Sequence, residues 1–208
     1  ATMFDLGRTL VAAAARNPNA TAIVDVGVRW SYAELLEHAS KLVSGFDQLG
    51  LQAGDHVLIV LQNRAEFALL HWATQLAGIV ATPVNWRTNA EEIQFYLENS
   101  EAKAIVFEPV SADAVGNAAL AQALPRISVG DAAGGTIQFE ALISGTKASN
   151  LPRASAHDVS LMLYTSGTTG KGKGVPRRHS AERAAAIAHV AQNAYQAGEV
   201  TLGVMPLY

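Results

Sequence analysis

The sequence contains no cysteine, which excludes disulfide bonds and thiolate metal sites. The same absence agrees with a reducing compartment, so the cytoplasm is the expected location. The sequence also lacks an excess of basic residues, since its 15 Lys and Arg are outnumbered by 18 Asp and Glu, which gives a net charge of −3. Without a basic run, the composition does not predict nucleic acid as a partner and fits small-molecule ligands better.

Long apolar runs are missing as well. No stretch approaches the ~20 consecutive apolar residues that a membrane-spanning helix needs, so no span is predicted. Residues 10–15 could pass for the core of a signal peptide, but the run is short and follows Asp5 and Arg8 within a helix-like segment. Hydrophobic residues in total are plentiful, at 50% of the 208 residues, which is enough for a globular core.

Alternating apolar and amphipathic segments predict an α/β fold. Several short runs are apolar on both faces, as is typical of interior parallel strands. The predicted strands cover 22–24, 28–30, 56–61, 79–84, 104–107, 127–129, 159–164, a short stretch near Val175, and 200–205. The predicted helices cover 4–16, 31–49, 65–77, 88–99, 112–124, 139–143 and 181–196. This alternation predicts a doubly wound, mostly parallel sheet with flanking helices.

Capping signals and composition refine this prediction. The pairs Ser31 with Glu34 and Thr88 with Glu91 read as capping boxes, and Ser180 is the candidate cap of the last helix. Residues 130–157 are rich in Gly, Ser, Ala, Asn and Pro, so they are expected to form a surface excursion.

The stretch from Tyr164 to Gly174 combines glycines, hydroxyl groups and lysines. Glycine-rich backbone lets N–H groups converge on an anion, while hydroxyls add donors and lysines add positive charge. The stretch follows the predicted strand 159–164, and open α/β sheets bind ligands at the carboxyl ends of their strands. It therefore predicts a polyphosphate-binding loop, with an ordinary solvent loop of the same composition as the alternative.

Three known loop motifs fail on spacing. A P-loop needs four residues between its first glycine and Gly-Lys, but only two separate Gly167 from Gly170. A dinucleotide fingerprint beginning at Gly170 would need glycine at Val175. A nucleophile elbow around Ser166 would need glycine at Tyr164, so Ser166 is not predicted to be a hydrolase nucleophile.

Residues 164–175 resemble the phosphate loop of the adenylate-forming superfamily, Y-T-S-G-T-T-G-K-P-K-G-V, with Gly172 replacing the proline as the one difference. That superfamily includes acyl-CoA synthetases, luciferases and peptide-synthetase adenylation domains. Glycine gives the unfolded chain more conformational entropy than proline does, so the ordered loop should be less stable, and looser, by ~0.4–1 kcal/mol. Further segments resemble family motifs in the same order along the chain, at 30–35, 54–57, 77–85, 174–179 and 205–208.

The resemblance implies an ATP-dependent reaction in two steps. A carboxylate attacks the α-phosphate of ATP to give an acyl-adenylate, and a thiol, expected to be coenzyme A, then takes the acyl group. The residues implied to hold the ATP phosphates are Thr165, Ser166, Gly167, Thr168, Thr169, Gly170, Lys171 and Lys173. Thr168 and Lys171 are the candidate catalytic residues, because they would stabilise charge on the leaving pyrophosphate. Two roles remain open for Lys173: it contacts phosphate, or it ties the loop to the sheet.

Magnesium is expected to arrive with ATP, because the six histidines have no metal-ligand spacing. For His179, which matches a family position, we expect a structural role at a helix entry. Arg87 resembles an arginine that aryl-CoA ligases place against a phosphate of CoA, and an ordinary surface arginine is the alternative.

The resemblance is strongest to aryl-CoA ligases at 181–183 and 205–208, which implies an aromatic or cyclic carboxylate as substrate. A fatty acid or a short dicarboxylate remains open.

The family's magnesium glutamate, ribose aspartate and carboxy-terminal lysine do not lie within these 208 residues. Residues 1–208 are therefore expected to be part of a larger amino-terminal domain and inactive alone, with the rest of the enzyme, including a carboxy-terminal domain, beyond Tyr208. A non-catalytic nucleotide-binding module and a purely structural domain are the other classes, and an oligomer is possible.

Overall fold

The structure is a computed structural model that describes residues 5–165 and 172–208. Its α-helices are α1 (Leu6–Arg16), α2 (Tyr32–Gln48), α3 (Ala65–Ala77), α4 (Ala90–Ser100), α5 (Ala112–Asn117), α6 (Phe139–Ile143) and α7 (His179–Gln192). Its strands are β1 (Thr21–Asp25), β2 (Val28–Ser31), β3 (His56–Val60), β4 (Val80–Pro83), β5 (Ala104–Phe107), β6 (Arg126–Ser128), β7 (Ile137–Gln138), β8 (Val159–Thr165) and β9 (Lys173–Arg178). Two short 3-10 helices cover Pro109–Ser111 and Leu120–Ala123.

Seven of these strands form one sheet in the order β7-β6-β5-β3-β4-β8-β9, and β1 and β2 form a separate antiparallel pair. Neighbours from β7 to β8 are parallel, and only the hairpin of β8 and β9 is antiparallel. The chain passes from β3 to β4 on one side and then crosses to β5 on the other, which is a doubly wound order. The predicted doubly wound, mostly parallel sheet with flanking helices is confirmed.

The core lies on both faces of the sheet, and β3 explains how. Val57 and Ile59 pack into a cluster with α1, α2, α3 and α6. Leu58 and Val60 point to the opposite face and pack with α4 and α5. Because side chains of a strand alternate between faces, a strand between two helical layers must be apolar at every position, as the sequence indicated.

The two predicted capping boxes have different outcomes. Ser31 and Glu34 form the first one, with the Ser31 amide donating to Glu34 Oε2 at 2.7 Å. The second prediction is wrong by one residue, because Asn89 caps α4 and pairs with Glu92. Thr88 instead donates its hydroxyl to Glu92 at 2.8 Å. Asn caps helices as well as Thr does, so the local pattern fitted both registers.

Two predicted helices also differ. The helix predicted over 112–124 is interrupted, since α5 ends at Asn117 and a 3-10 helix follows. Ser180 does not cap α7, which begins directly after β9 and ends at Gln192. The amides of His179 and Ser180 donate to the carbonyls of Asp158 and Ala156. Backbone from a neighbouring segment therefore satisfies donors that a cap would otherwise serve.

The predicted strand at 200–205 is wrong. Val200, Leu202 and Val204 are 95%, 83% and 74% exposed. Within residues 5–165 and 172–208, no strand pairs with this segment. Apolar alternation favours a strand, but a strand forms only where a neighbour supplies the ladder of hydrogen bonds.

Residues 130–157, expected as a surface excursion, contribute to both sheet and core. The edge strand β7 pairs in parallel with β6. Helix α6 has the predicted bounds, and its Phe139 is fully buried. Leu142 packs against α2 so closely that a Cβ at Gly45 would come within 2.9 Å of it.

Candidate active site

The hairpin of β8 and β9 places the ends of the predicted phosphate loop. Thr165 is the cross-strand partner of Lys173, and Leu161 on β8 pairs with Ala81 on β4. Ser166, Gly167, Thr168, Thr169, Gly170 and Lys171 lie outside the described residues. Since β8 is parallel to β4, the described loop ends lie at the carboxyl edge of the sheet, where such sheets bind ligands.

Packing on α4 anchors this hairpin. The Tyr164 hydroxyl donates to Asn99 Oδ1 at 2.8 Å, and its ring lies 4.7 Å from that of Tyr96. Burial, with Tyr96 adding to it, raises the pKa of Tyr164, so the phenol remains a neutral donor. A Cβ at Gly174 would meet Met162 Sδ at 3.1 Å and the Tyr164 ring at 3.3 Å, so glycine suits this close approach.

The position that departs from the family loop has more room. A Cβ at Gly172 would meet the Thr165 carbonyl oxygen at 3.4 Å and the Tyr164 ring at 3.5 Å, which are ordinary contacts. Lys173 is exposed on β9, and its carbonyl lies 3.5 Å from the Thr165 hydroxyl. The backbone of Lys173 thus belongs to the sheet, while its ammonium group is free to extend toward solvent.

His179 directly follows β9, at the end of the hairpin away from the loop, and begins α7. Its side chain is fully buried, and Nδ1 accepts a hydrogen bond from the Leu6 amide at 3.1 Å. Burial lowers the pKa of His179, which favours the neutral imidazole that this acceptor role requires. His179 therefore joins α1 to the start of α7, the structural role expected for it. Burial, together with the nearby His179, also lowers the pKa of His71 on α3 to about 4.

Arg87 lies in a cleft beyond the carboxyl ends of β3 and β4. The cleft has a volume of about 360 Å³ and is lined by Gln62, Asn63, Trp86, Arg87, Val204, Pro206 and Tyr208. The Arg87 guanidinium carbon lies 3.9 Å from the centroid of the Trp86 ring. A cation held over an aromatic face beside a further aromatic side chain suits a ligand that carries both phosphate and a planar base.

The crevice between β3 and β5, the usual ligand position in a doubly wound sheet, holds a cavity of about 270 Å³ whose lining includes the chain's own ion pairs. Arg64 Nη1 lies 3.0 Å from Glu108 Oε2, and Arg64 Nε lies 2.8 Å from Glu66 Oε2. The hydrogen bond to Glu66, assisted by the charge of Glu108, raises the pKa of Arg64 against the effect of burial. Glu108 is 5% exposed and accepts the Gln62 amide. Because Arg64, Glu66 and Glu108 already pair with one another, we take the loop ends and the Arg87 cleft as the better ligand positions.

The sequence predicted Asn63 only as the start of α3, whereas Arg64 precedes that helix and the Asn63 side-chain amide reaches the backbone of residues 205–207. Contacts between residues more than 140 positions apart have no local sequence signal. In the part of the chain that the structure describes, no group of three or more His, Asp or Glu could hold a metal ion. None of the helices described there is long and apolar enough to cross a membrane.

Comparison with known proteins gives a family match over most of the chain. Residues 10–208 match the family model described as AMP-binding enzyme. The chain is 32% identical over 186 residues to the long-chain-fatty-acid–CoA ligase FadD13 of Mycobacterium tuberculosis, covering 88% of this chain and 37% of that protein. It is 29% identical over 192 residues to the 4-hydroxybenzoate–CoA/benzoate–CoA ligase of Rhodopseudomonas palustris, covering 90% of this chain and 35% of that protein. The chain thus spans a little over a third of these curated relatives.

Solved structures agree on the fold. A Rhodopseudomonas palustris crystal structure assigned as a long-chain-fatty-acid CoA ligase matches with a TM-score of 0.89 and 30% identity, over 98% of this chain and 52% of that chain. A benzoate CoA ligase from Burkholderia xenovorans LB400 matches with a TM-score of 0.77 and 21% identity, over 91% of this chain and 36% of that chain. At that identity the second match concerns the fold alone.

Proposed function

Because the chain belongs to the AMP-binding enzyme family, we propose that it is the amino-terminal part of an ATP-dependent carboxylic acid–CoA ligase. The observation that carries the proposal is the position of the loop sequence. The described ends of the stretch that resembles the family's phosphate loop, Thr165 on β8 and Lys173 on β9, lie at the carboxyl edge of a doubly wound sheet.

The proposed chemistry has two steps. A carboxylate oxygen attacks the α-phosphorus of ATP, the bond to the bridging oxygen breaks, and pyrophosphate leaves. The CoA thiol then attacks the acyl carbonyl and AMP leaves. Thr168 and Lys171 would stabilise negative charge on the leaving pyrophosphate, and this charge is largest in the transition state. Magnesium would enter with ATP and neutralise charge on the same phosphates.

We propose an aromatic or cyclic carboxylate as substrate, and a fatty acid is the second candidate. The first is supported by the resemblance at 181–183 and 205–208 and by the benzoate–CoA ligase relative. The second is supported by the FadD13 relative, whose identity is slightly higher at 32%. A single assay can separate them.

Exchange of labelled pyrophosphate into ATP by the full-length polypeptide tests the function. We expect exchange that depends on benzoate or a cyclic carboxylate and is at least ~10-fold faster than with octanoate or palmitate, a difference of about 1.4 kcal/mol in transition-state binding. Exchange only with fatty acids would reject the aromatic substrate. No exchange with any acid, together with thermal stabilisation by ATP, would favour a non-catalytic nucleotide-binding module instead.

Replacing Arg87 by alanine should raise the KM for CoA about 10-fold and change the KM for ATP less than twofold. The guanidinium is exposed over Trp86 in a cleft separate from the loop, and one lost phosphate contact costs about 1.4 kcal/mol. Steady-state kinetics of the full-length polypeptide gives both constants. Arg16→Ala, at an exposed arginine in the last turn of α1, is the matched control. An unchanged KM for CoA in Arg87→Ala would make Arg87 an ordinary surface arginine.

A further inference from the structure

The side chain of Asn63 makes two hydrogen bonds to distant backbone. Its Nδ2 donates to the Met205 carbonyl at 2.7 Å, and the Leu207 amide donates to its Oδ1 at 2.9 Å. A carbonyl can only accept and an amide N–H can only donate, so these partners also define the orientation of the Asn63 side-chain amide. The three residues therefore form one closed pair of hydrogen bonds.

This arrangement reproduces the contacts of a parallel strand. In a parallel ladder, a residue donates to one carbonyl of its neighbour and accepts from the amide two positions further on. Met205 and Leu207 present that carbonyl and that amide, and Pro206 between them has no N–H to offer. One side chain therefore holds residues 205–207, although none of the described strands pairs with them.

The held segment lies between two cavities. Leu207 lines an apolar groove of about 320 Å³ together with Phe67, Trp72 and Leu163. Tyr208 lines the cleft that contains Arg87. The segment before them is largely open to solvent, with Met205 74% exposed. Asn63 thus holds a segment whose residues line both cavities.

That place matters for the proposed reaction. Leu163 lies on β8, the strand that leads into the predicted phosphate loop, and Arg87 is the proposed contact for CoA. The acyl group must be activated at the loop and then transferred to the CoA thiol. A segment bordered by Leu163 on one side and Arg87 on the other lies beside that path.

We propose that Asn63 is a positioning residue that holds residues 205–208 beside the acyl group during activation and transfer. This inference rests on the proposed function. Asn63 acts through the backbone of Met205 and Leu207 and touches no reacting atom. Because the side chain is exposed, its removal should leave the core intact.

Hydrogen exchange at the Leu207 amide tests the contact itself in the full-length polypeptide. Replacement of Asn63 by alanine should speed exchange at Leu207 about fivefold or more, as expected for a hydrogen bond of ~1 kcal/mol. Asn117→Ala is the matched control, because the Asn117 amide also donates to a backbone carbonyl, that of Asp113 at 2.8 Å, far from this segment. Unchanged exchange at Leu207 in Asn63→Ala would overturn the proposal.

Kinetics tests the positioning role. In Asn63→Ala we expect a rise of about tenfold in the KM for the carboxylate, and therefore a fall of about tenfold in kcat/KM, with a change of less than twofold in the KM for ATP, and no change in Asn117→Ala. A merely structural loss would lower kcat for every substrate and leave each KM unchanged, and that result would overturn the proposal. If the unmodified polypeptide activates no carboxylic acid, the proposed function fails and the positioning role with it, whereas exchange at Leu207 still decides whether the contact exists.

Discussion

Replacing Lys171 by alanine in the full-length polypeptide should lower the rate of ATP–pyrophosphate exchange by ~10²–10³-fold, the usual cost of removing one preorganised electrostatic contact to a transition state. The free energy of unfolding should change by less than ~0.5 kcal/mol. Thr165 and Lys173, described on either side of the stretch, are exposed, Gly172 is half-buried, and none of the described core side chains belongs to this stretch. Isotope exchange and urea denaturation measure the two effects separately.

Three variants sharpen this experiment. Thr168→Ala should act in the same direction as Lys171→Ala, since its hydroxyl is proposed to bind the same phosphates. Lys103→Ala is the charge-matched control, because Lys103 is exposed at the amino end of β5, the edge of the sheet opposite the loop. Lys173→Ala decides between its two roles, since a fall in rate indicates a phosphate contact and a fall in stability alone indicates a tie to the sheet. Unchanged exchange in both Lys171→Ala and Thr168→Ala would reject the phosphate-loop assignment.

Replacing Phe139 by alanine should lower the free energy of unfolding by ~3–5 kcal/mol, as for other fully buried aromatic side chains. Phe139 is completely buried although it lies within the glycine- and serine-rich segment 130–157. It packs in the cluster that includes Leu42 and Phe46 of α2, so its loss would open a cavity beneath that helix. The urea midpoint and slope of the full-length polypeptide give the change.

The matched control for this prediction is Leu120→Ala. Leu120 is 38% exposed, so its truncation should cost less than ~1 kcal/mol. If Phe139→Ala costs as little as Leu120→Ala, the buried Phe139 side chain contributes little to the stability of the core and the prediction is wrong.

Most of the fold could be predicted from local sequence. The body of α3 and its end match their prediction, because Gly78 adopts φ of 75° and ends the helix in the left-handed conformation that glycine favours. The bounds of β5 also match, because Ala104–Phe107 is apolar on both faces between two turns. These signals act over a few residues and need no knowledge of the partner elements.

The candidate site could be predicted only in part. The loop from Thr165 to Lys173 was recognisable because its residues are consecutive, and the structure places its described ends at the carboxyl edge. Asn63 and the stacking of Arg87 on Trp86 were not predicted. Asn63 in particular acts on backbone atoms, which carry no side-chain signature in the sequence.

The sequence alone determined the α/β class, the parallel sheet, most helix and strand positions and the resemblance of the loop, because each depends on residues close together in the chain. Tertiary structure decided the start of α7, the loss of the strand at 200–205 and the contact between Asn63 and Leu207. In each case a backbone group is satisfied, or left exposed, by whatever lies beside it in space. For Leu207 that partner is 144 residues away, and no periodicity or propensity extends so far.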